Sequence, residues 1–519
     1  MRANNAYVPS TEEAVRRFWE DSRTMEGDYG LFIDGKWASP PGRGRFETTN
    51  PATGERVGSF VAATAEDVRR ATDAAARAYR GWRETPAPKR GEILLEVARR
   101  MRAAKPELGR LVTREMGKVI SEGLGDVQES IDFIEYMAGE GRRLFGETVP
   151  SELRSKFCLT VRQPKGVVAC ITPWNFPTAI PNWKIAAALV TGNTVVFKPA
   201  SGTATCAAEV VRLYEQGGVP AGVLNFVTGS GAVVGNALVE DPRVRAVSFT
   251  GGVDTGRDVY VRGAQGLKMV HLELGGKNPV ILMDDADLPL ALDGVLFGAF
   301  GTSGQRCTAT SRLILHERVY EPFLEMLTAR LDRFPVGDPL DPKTGMGPVA
   351  SADQERKVLE YIGLGKQEAK LRYGGEKLRG GAYDRGHFVR PTVFETAHGT
   401  RISKEEIFGP VLSVIRVGSY DEAVRVANDV EYGLSSSIYT RDVNRAFRAI
   451  QDLEAGITYV NAPTIGAEVQ LPFGGVKNTG NGGREAGSAA IEEFTEIKSV
   501  FVDFSSRLQK AQIDSETAT

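Results

Sequence analysis

The stretch 300–308, Phe-Gly-Thr-Ser-Gly-Gln-Arg-Cys-Thr, carries Cys307, one of four cysteines in 519 residues, with Gly301 and Gly304 ahead of it and Arg306 beside it. A thiol attacks as the thiolate, and with a free pKa of about 8.5 only a few per cent is ionised at neutral pH. A neighbouring guanidinium favours the charged form, so Arg306 is expected to hold Cys307 toward the thiolate. Free cysteine is also among the most buried residue types, and a small packed side chain is the competing reading. A second group is Glu273, in His-Leu-Glu-Leu-Gly-Gly-Lys-Asn over 271–278. Burial of a carboxylate at the end of an apolar strand raises its pKa above about 4.3, as a general base requires. A salt-bridged structural glutamate fits the same pattern. The third is Asn175, set between Pro173 and Pro177. The prolines stiffen its backbone and can hold its amide as a fixed donor; an asparagine that only forms a turn is the alternative.

Strand-like segments must position these groups. Short β-branched runs at 167–171, 194–197, 223–227, 246–249, 268–272 and 279–283 alternate with helical stretches at 185–190, 203–215 and 232–239. Near-continuous apolar strands separated by helices predict a parallel sheet covered on both faces. The runs 312–316, 411–416, 435–439 and 457–461 continue the pattern past Cys307, so two α/β units are expected. Gly229, Gly231 and Gly235 follow one run; Gly251, Gly252 and Gly256 follow another. Bare N–H groups at a Gly-rich turn into a helix suit a pyrophosphate, although such turns also merely pack helix on sheet. Lys198, ahead of Pro199 and Ser201, ends a third run. Ligands of open α/β sheets bind at strand carboxyl ends, so these three ends together predict a dinucleotide site. Residues 31–37 read as a short hairpin, 64–144 as helical and 157–162 as an extended ribbon.

Composition narrows the partners. A net charge of −2 and pI of about 6.3 point neither to nucleic acid nor to an acidic membrane surface. Four scattered cysteines fit a reducing compartment rather than a disulfide framework. The four histidines show no metal-ligand spacing, so no metal is expected. Residues 1–28 look helical but lack the apolar core of a secretory signal, and no apolar run approaches the ~20 residues of a membrane span. A cytoplasmic protein is expected.

Taken together, the motifs resemble the aldehyde dehydrogenase superfamily over about residues 31–504. The resemblance rests on Pro173-Trp174-Asn175-Phe176-Pro177, Lys198-Pro199, Glu273-Leu274-Gly275-Gly276-Lys277, Gly304-Gln305-Arg306-Cys307, Glu406-Ile407-Phe408-Gly409-Pro410 and Pro472-Phe473-Gly474-Gly475. It implies an α/β fold with a Rossmann-like NAD(P)-binding domain from 1–145 and 164–275, and an α/β catalytic domain at 276–480. It also implies a β oligomerisation ribbon from 146–163 and 492–504, a polar tail at 505–519, and a homodimer or homotetramer. In such enzymes Cys307 attacks the aldehyde, the Asn175 amide and the Cys307 N–H form the oxyanion hole, and Glu273 activates water to release the acid. Lys198 matches a position that contacts the adenosine ribose, Glu406 one that contacts the nicotinamide ribose, and Phe408 one that packs beside the nicotinamide. Thr172, Trp174, Ser201, Gly231, Gly235, Gly251, Gly252, Gly256 and Leu274 complete the expected cofactor set.

There are two departures from the family pattern. Gly252 stands where many members carry serine, and Ser201 where NAD-preferring members carry glutamate, so NADP as well as NAD is permitted. The loop 462–473 resembles the substrate anchor of semialdehyde-oxidising members. It nominates the backbone of Gly466 and Ala467, with Arg306 and Phe473, for a carboxylate-bearing aldehyde, of the 2,5-dioxopentanoate type foremost. For Arg306 a structural ion pair is an equal alternative. Aminoadipate semialdehyde or neutral aldehydes are the other substrates to consider. A non-catalytic scaffold and a CoA-acylating enzyme are disfavoured, because Asn175, Glu273 and Cys307 are all present.

Overall fold

The computed structural model describes residues 27–513; the expectations for 1–26 and for the end of the polar tail lie outside them. Two seven-stranded sheets organise the chain. The first runs in the order Met269–Glu273, Val244–Thr250, Val167–Ile171, Thr194–Lys198, Leu224–Phe226, Leu31–Ile33, Lys36–Ala38. Its first five strands are parallel and the 31–38 hairpin closes one edge antiparallel. Every residue of Val167–Ile171 and Thr194–Lys198 is buried, which is why those runs read as unbroken apolar segments rather than alternating ones. The chain winds one way from Val167–Ile171 and then returns to its other side at Val244–Thr250. That reversal opens a crevice at the carboxyl ends of these two strands.

The second sheet has the order Lys370–Tyr373, Thr392–Glu395, Val411–Val417, Thr310–His316, Asn278–Leu282, Ser435–Tyr439, Ile457–Val460. It is parallel except for its first pair. Helices Ala65–Glu84, Ala87–Met116 and Ile120–Glu140 fill the segment expected to be helical. The helix predicted at 185–190 begins earlier, at Ala179; Pro181 sits in its first turn, where a missing N–H breaks no helical bond.

A separate three-stranded sheet pairs Thr495–Asp503 with Lys156–Pro164 over nine residue pairs, and the latter with Thr148–Val149. Residues 492–494, expected in this ribbon, instead close the helix Ala489–Phe494, because Ile491 and Phe494 bury in the first core. Described residues of the tail stay near the ribbon, with Gln509 Nε2 donating to the Arg154 carbonyl at 2.8 Å. Among the described residues no helix is long and apolar enough to cross a membrane.

Candidate active site

The crevice at the sheet reversal is a cleft of about 780 Å³. Thr172, Trp174, Asn175, Lys198, Gly231, Gly235, Gly251, Gly252, Leu274, Glu406, Phe408 and Cys307 all line it, drawn from more than 200 residues of chain. Sequence reasoning missed Thr250, Gln354 and Lys357, which share the wall. The last two come from the helix Ala352–Glu368, which carried no chemical motif. Two expected cofactor residues are not brought to the wall. Gly256 lies inside the helix Val253–Gln265, where a Cβ would stand 2.5 Å from Leu274, so its role is close packing. Ser201 turns its hydroxyl to the Gly229 carbonyl at 3.2 Å, one residue beyond the lining Ala200.

The cleft suits a dinucleotide. The hydroxyls of Thr172 and Thr250 are buried without a hydrogen-bond partner, and a Cβ at Gly231 or Gly252 would meet nothing within 4 Å. Burial holds the Lys198 ammonium down to about 8, while its Nζ donates to the Pro199 carbonyl at 2.9 Å. At the other end, Glu406 accepts the Gly276 N–H at 2.9 Å, and burial raises its pKa. Phe408, at φ 61°, meets the Trp174 ring edge-on at 5.4 Å.

Cys307 follows an unusual turn. Thr302, Ser303 and Gly304 have φ of 52°, 55° and 69°, three left-handed residues in a row. Only glycine takes that conformation freely; side-chain-bearing residues there are strained by about 1–3 kcal/mol each and persist when their surroundings over-determine them. Here the Glu122 carboxylate accepts the Thr302 N–H at 2.9 Å, and Ser303 Oγ donates to the carbonyls of Gly347 and Pro348. Gln305 bridges the Thr302 carbonyl and the Ala350 N–H. A Cβ at Gly304 would lie 2.3 Å from the Gly409 carbonyl oxygen, so this position also demands glycine for space. Downstream, Asn278 Nδ2 donates to the Cys307 carbonyl at 2.7 Å.

Arg306 does not serve Cys307 as expected. Its Nη2 bonds Glu122 at 2.9 Å and its Nε bonds Thr302 Oγ1 at 3.0 Å. Its guanidinium lies over the rings of Phe176 and Phe297, at 5.3 and 5.4 Å. The thiol of Cys307 is instead raised to about 12, by burial first and then by the charges of Glu273 and Glu406. The protonated resting thiol therefore needs a base, or a change in its surroundings, to react. Phe176 also carries the Lys118 ammonium, 3.7 Å from its centroid, and Lys118 pairs with buried Asp126.

Glu273 ends its strand fully inside the protein, and neither carboxylate oxygen has a hydrogen-bond partner. Burial pushes it up to about 7, the direction a base needs. It does not line the cleft with Cys307; Oε1 lies 3.4 Å from His271 Nε2. The expected substrate residues also sit off the cleft wall. Gly466 has φ 107° and open space at its α-carbon. Ala467 and Cys307 pack against the same core. Thr464 ties the anchor loop to the nucleophile segment through the Thr308 carbonyl at 2.7 Å. Phe473 is a core residue instead, edge-on to Trp183 at 5.0 Å and backbone-paired with Glu485.

A thiol and an asparagine amide thus share the wall of a dinucleotide-sized cleft, with the Glu273 carboxylate buried off that wall and close enough for its charge to act on Cys307. The model of the aldehyde dehydrogenase family matches residues 37–500. The chain belongs to the aldehyde dehydrogenase family. It is 45% identical over 486 residues to the alpha-ketoglutaric semialdehyde dehydrogenase of Bacillus subtilis, covering 92% of this chain and 99% of that one. It is 42% identical over 474 residues to the alpha-ketoglutarate semialdehyde dehydrogenase of Haloferax volcanii, covering 91% and 98%. The crystal structure of Staphylococcus aureus betaine aldehyde dehydrogenase in complex with NAD+ superposes with a TM-score of 0.91 at 33% identity, covering 94% and 96%.

Proposed function

We propose that this aldehyde dehydrogenase oxidises a carboxylate-bearing semialdehyde, 2,5-dioxopentanoate foremost, to the acid with NAD or NADP. The observation that carries the chemistry is the meeting of Cys307, Asn175 and the cofactor-sized cleft in one wall. NAD(P)+, when bound, supplies the hydride acceptor. Thr172, Lys198, Thr250 and the open turns at Gly231 and Gly252 would hold its adenosine and pyrophosphate; Glu406 and Phe408 would hold the nicotinamide end. Cys307, once deprotonated, adds to the aldehyde carbon. The Asn175 amide and the Cys307 N–H then stabilise the developing oxyanion, a contribution of about 100- to 1,000-fold per donor in comparable sites. Loss of hydride leaves a thioester on Cys307. Glu273 then swings toward it, takes a proton from water, and the acid departs. The ribbon, with Phe157, Ile497 and Phe501 exposed along it, fits pairing with further copies.

The substrate reading rests on the two semialdehyde-oxidising relatives and on the open Gly466 turn. The Arg306–Glu122 pair favours a second reading, a neutral-aldehyde oxidiser, since that guanidinium is already compensated. Comparing glutarate semialdehyde with pentanal separates the two. A charged hydrogen bond contributes roughly 1.5–3 kcal/mol, so the semialdehyde should lead by about 10- to 100-fold in kcat/KM, and Arg306→Ala should remove most of that lead. Equal or better turnover of pentanal would establish the second reading.

A further inference from the structure

Phe408 is held in a backbone conformation that phenylalanine disfavours. Its φ of 61° is left-handed, a region open at little cost only to glycine. A residue with a side chain stays there when its surroundings over-determine it, and here they do so from two sides. Gln354, on the helix Ala352–Glu368, donates its Nε2 to the Phe408 carbonyl at 2.5 Å and to the Ile407 carbonyl at 3.4 Å. Val358 of the same helix packs on Gly409, where a Cβ would stand 2.3 Å from its Cγ2. On the other side, the Gly409 carbonyl lies so close to the nucleophile turn that it leaves no room for a Cβ at Gly304.

The start of that helix is fastened to the same turn. Ser303 Oγ donates to the Gly347 and Pro348 carbonyls, and Gln305 Oε1 accepts the Ala350 N–H at 2.9 Å. Ser351 caps the helix, its Oγ accepting the Gln354 N–H at 3.2 Å. Residues 347–354 thus form a brace from the turn that presents Cys307 to the backbone that presents Phe408, and both of those side chains line the cofactor cleft. Gln354 lines it too, but its amide nitrogen, the donating end of the side chain, is spent on the two carbonyls of 407 and 408.

Resting on the reading that Phe408 packs beside the nicotinamide, we propose that Gln354 is a positioning residue for hydride transfer. Its amide fixes the left-handed Phe408 backbone, and the braced helix start sets the Phe408 ring in register with Cys307. The aldehyde hydrogen leaves from the carbon bonded to Cys307, so the spacing between that carbon and the ring's neighbour governs the step. A misplacement of about 1 Å in such a pair can cost about 100-fold. With Val358 and the edge of Trp174 still against the segment, loss of the one clamp should cost about tenfold. Gln354 never touches the reacting atoms in this account; it acts through Phe408.

The test is a double-mutant cycle of Gln354→Ala and Phe408→Ala, read by calorimetry and by rapid kinetics. Gln354→Ala should bind ADP-ribose, which has no nicotinamide, within about twofold of wild type, and NAD+ about threefold more weakly. Its hydride burst should slow about tenfold, with a larger isotope effect from aldehyde deuterated at C1. Acylation of Cys307 by a p-nitrophenyl ester, which needs no cofactor, should stay within about twofold, a result that general loosening of the site would not give. In the Phe408→Ala background, Gln354→Ala should cost less than about twofold in the burst, because the ring it positions is gone. A full tenfold loss in that background would show Gln354 acting on the cofactor directly and overturns the proposal. So does a wild-type burst in Gln354→Ala, or a parallel loss of ADP-ribose binding, ester acylation and burst. Should Gln354→Ala not fold, Gln354→Glu, which keeps the length without the N–H donors, is put through the same cycle with the same outcomes. If Phe408→Ala slows the burst while the Gln354 variants do not, only this inference falls; if Phe408→Ala itself leaves NAD+ binding and the burst unchanged, the reading of Phe408 falls with it.

Discussion

Replacing Glu122 by alanine should disable the nucleophile while leaving the cofactor site intact. The carboxylate accepts the Thr302 N–H and pairs with Arg306, so the change removes two acceptors from one strained turn. Breaking a buried ion pair by removing one partner costs about 3–5 kcal/mol. With side chains 13% and 8% exposed, and Arg306 still held by Thr302 Oγ1 and two aromatic faces, the low end applies, about 3 kcal/mol. The left-handed Thr302 and Ser303 make this turn the place where the strain is released. A turn that relaxes displaces Cys307 from Asn175, and about 3 kcal/mol at the transition state is roughly two decades in rate. Stopped-flow measurement of the hydride burst should therefore show kcat/KM down about 100-fold, with NAD(P) affinity within threefold. Glu122→Gln, which keeps an acceptor for Thr302 but not the charge, should fall between. A wild-type burst in the alanine variant would refute this reasoning, as would an equal loss of cofactor affinity.

Gly275→Ala should weaken cofactor binding about tenfold with little change in acylation of bound substrate. Its Cβ would lie 2.3 Å from Glu406 Oε2, forcing that carboxylate off the Gly276 N–H; titration by cofactor fluorescence checks it, and an unchanged Kd contradicts it. Ser201→Glu should shift preference toward NAD, because a carboxylate about 4 Å from a 2′-phosphate is opposed by up to about 4 kcal/mol at an effective dielectric near 20. An unchanged ratio of kcat/KM for the two cofactors would place Ser201 away from the 2′ position.

Local order was legible where burial is two-sided. The runs 167–171 and 435–439 coincide with observed strands residue for residue, and every residue of both is buried, so neither shows an alternation to misread. The run expected at 268–272 is shifted by one, to Met269–Glu273, which brings Glu273 into the strand beside His271. What the sequence hid was distance along the chain. Arg306 read as the thiol's electrostatic partner because its true partner, Glu122, lies 184 residues away. The grouping of His271 with Glu485 and Glu493 was invisible for the same reason, since the two carboxylates come from a loop and a terminal helix more than 200 residues along the chain. Gly256 was assigned to the cofactor on its glycine type, when its small size serves contact with Leu274.

The central claim, a thioester on Cys307 that Glu273 resolves, is tested most directly by intact-protein and peptide mass spectrometry of Glu273→Gln mixed with semialdehyde and NAD(P)+. A neutral amide cannot take the proton of water, so the variant should release one equivalent of reduced cofactor and hold one acyl group on the peptide containing Cys307. Reduced cofactor formed with no adduct, or with the acyl group on another residue, would contradict the account.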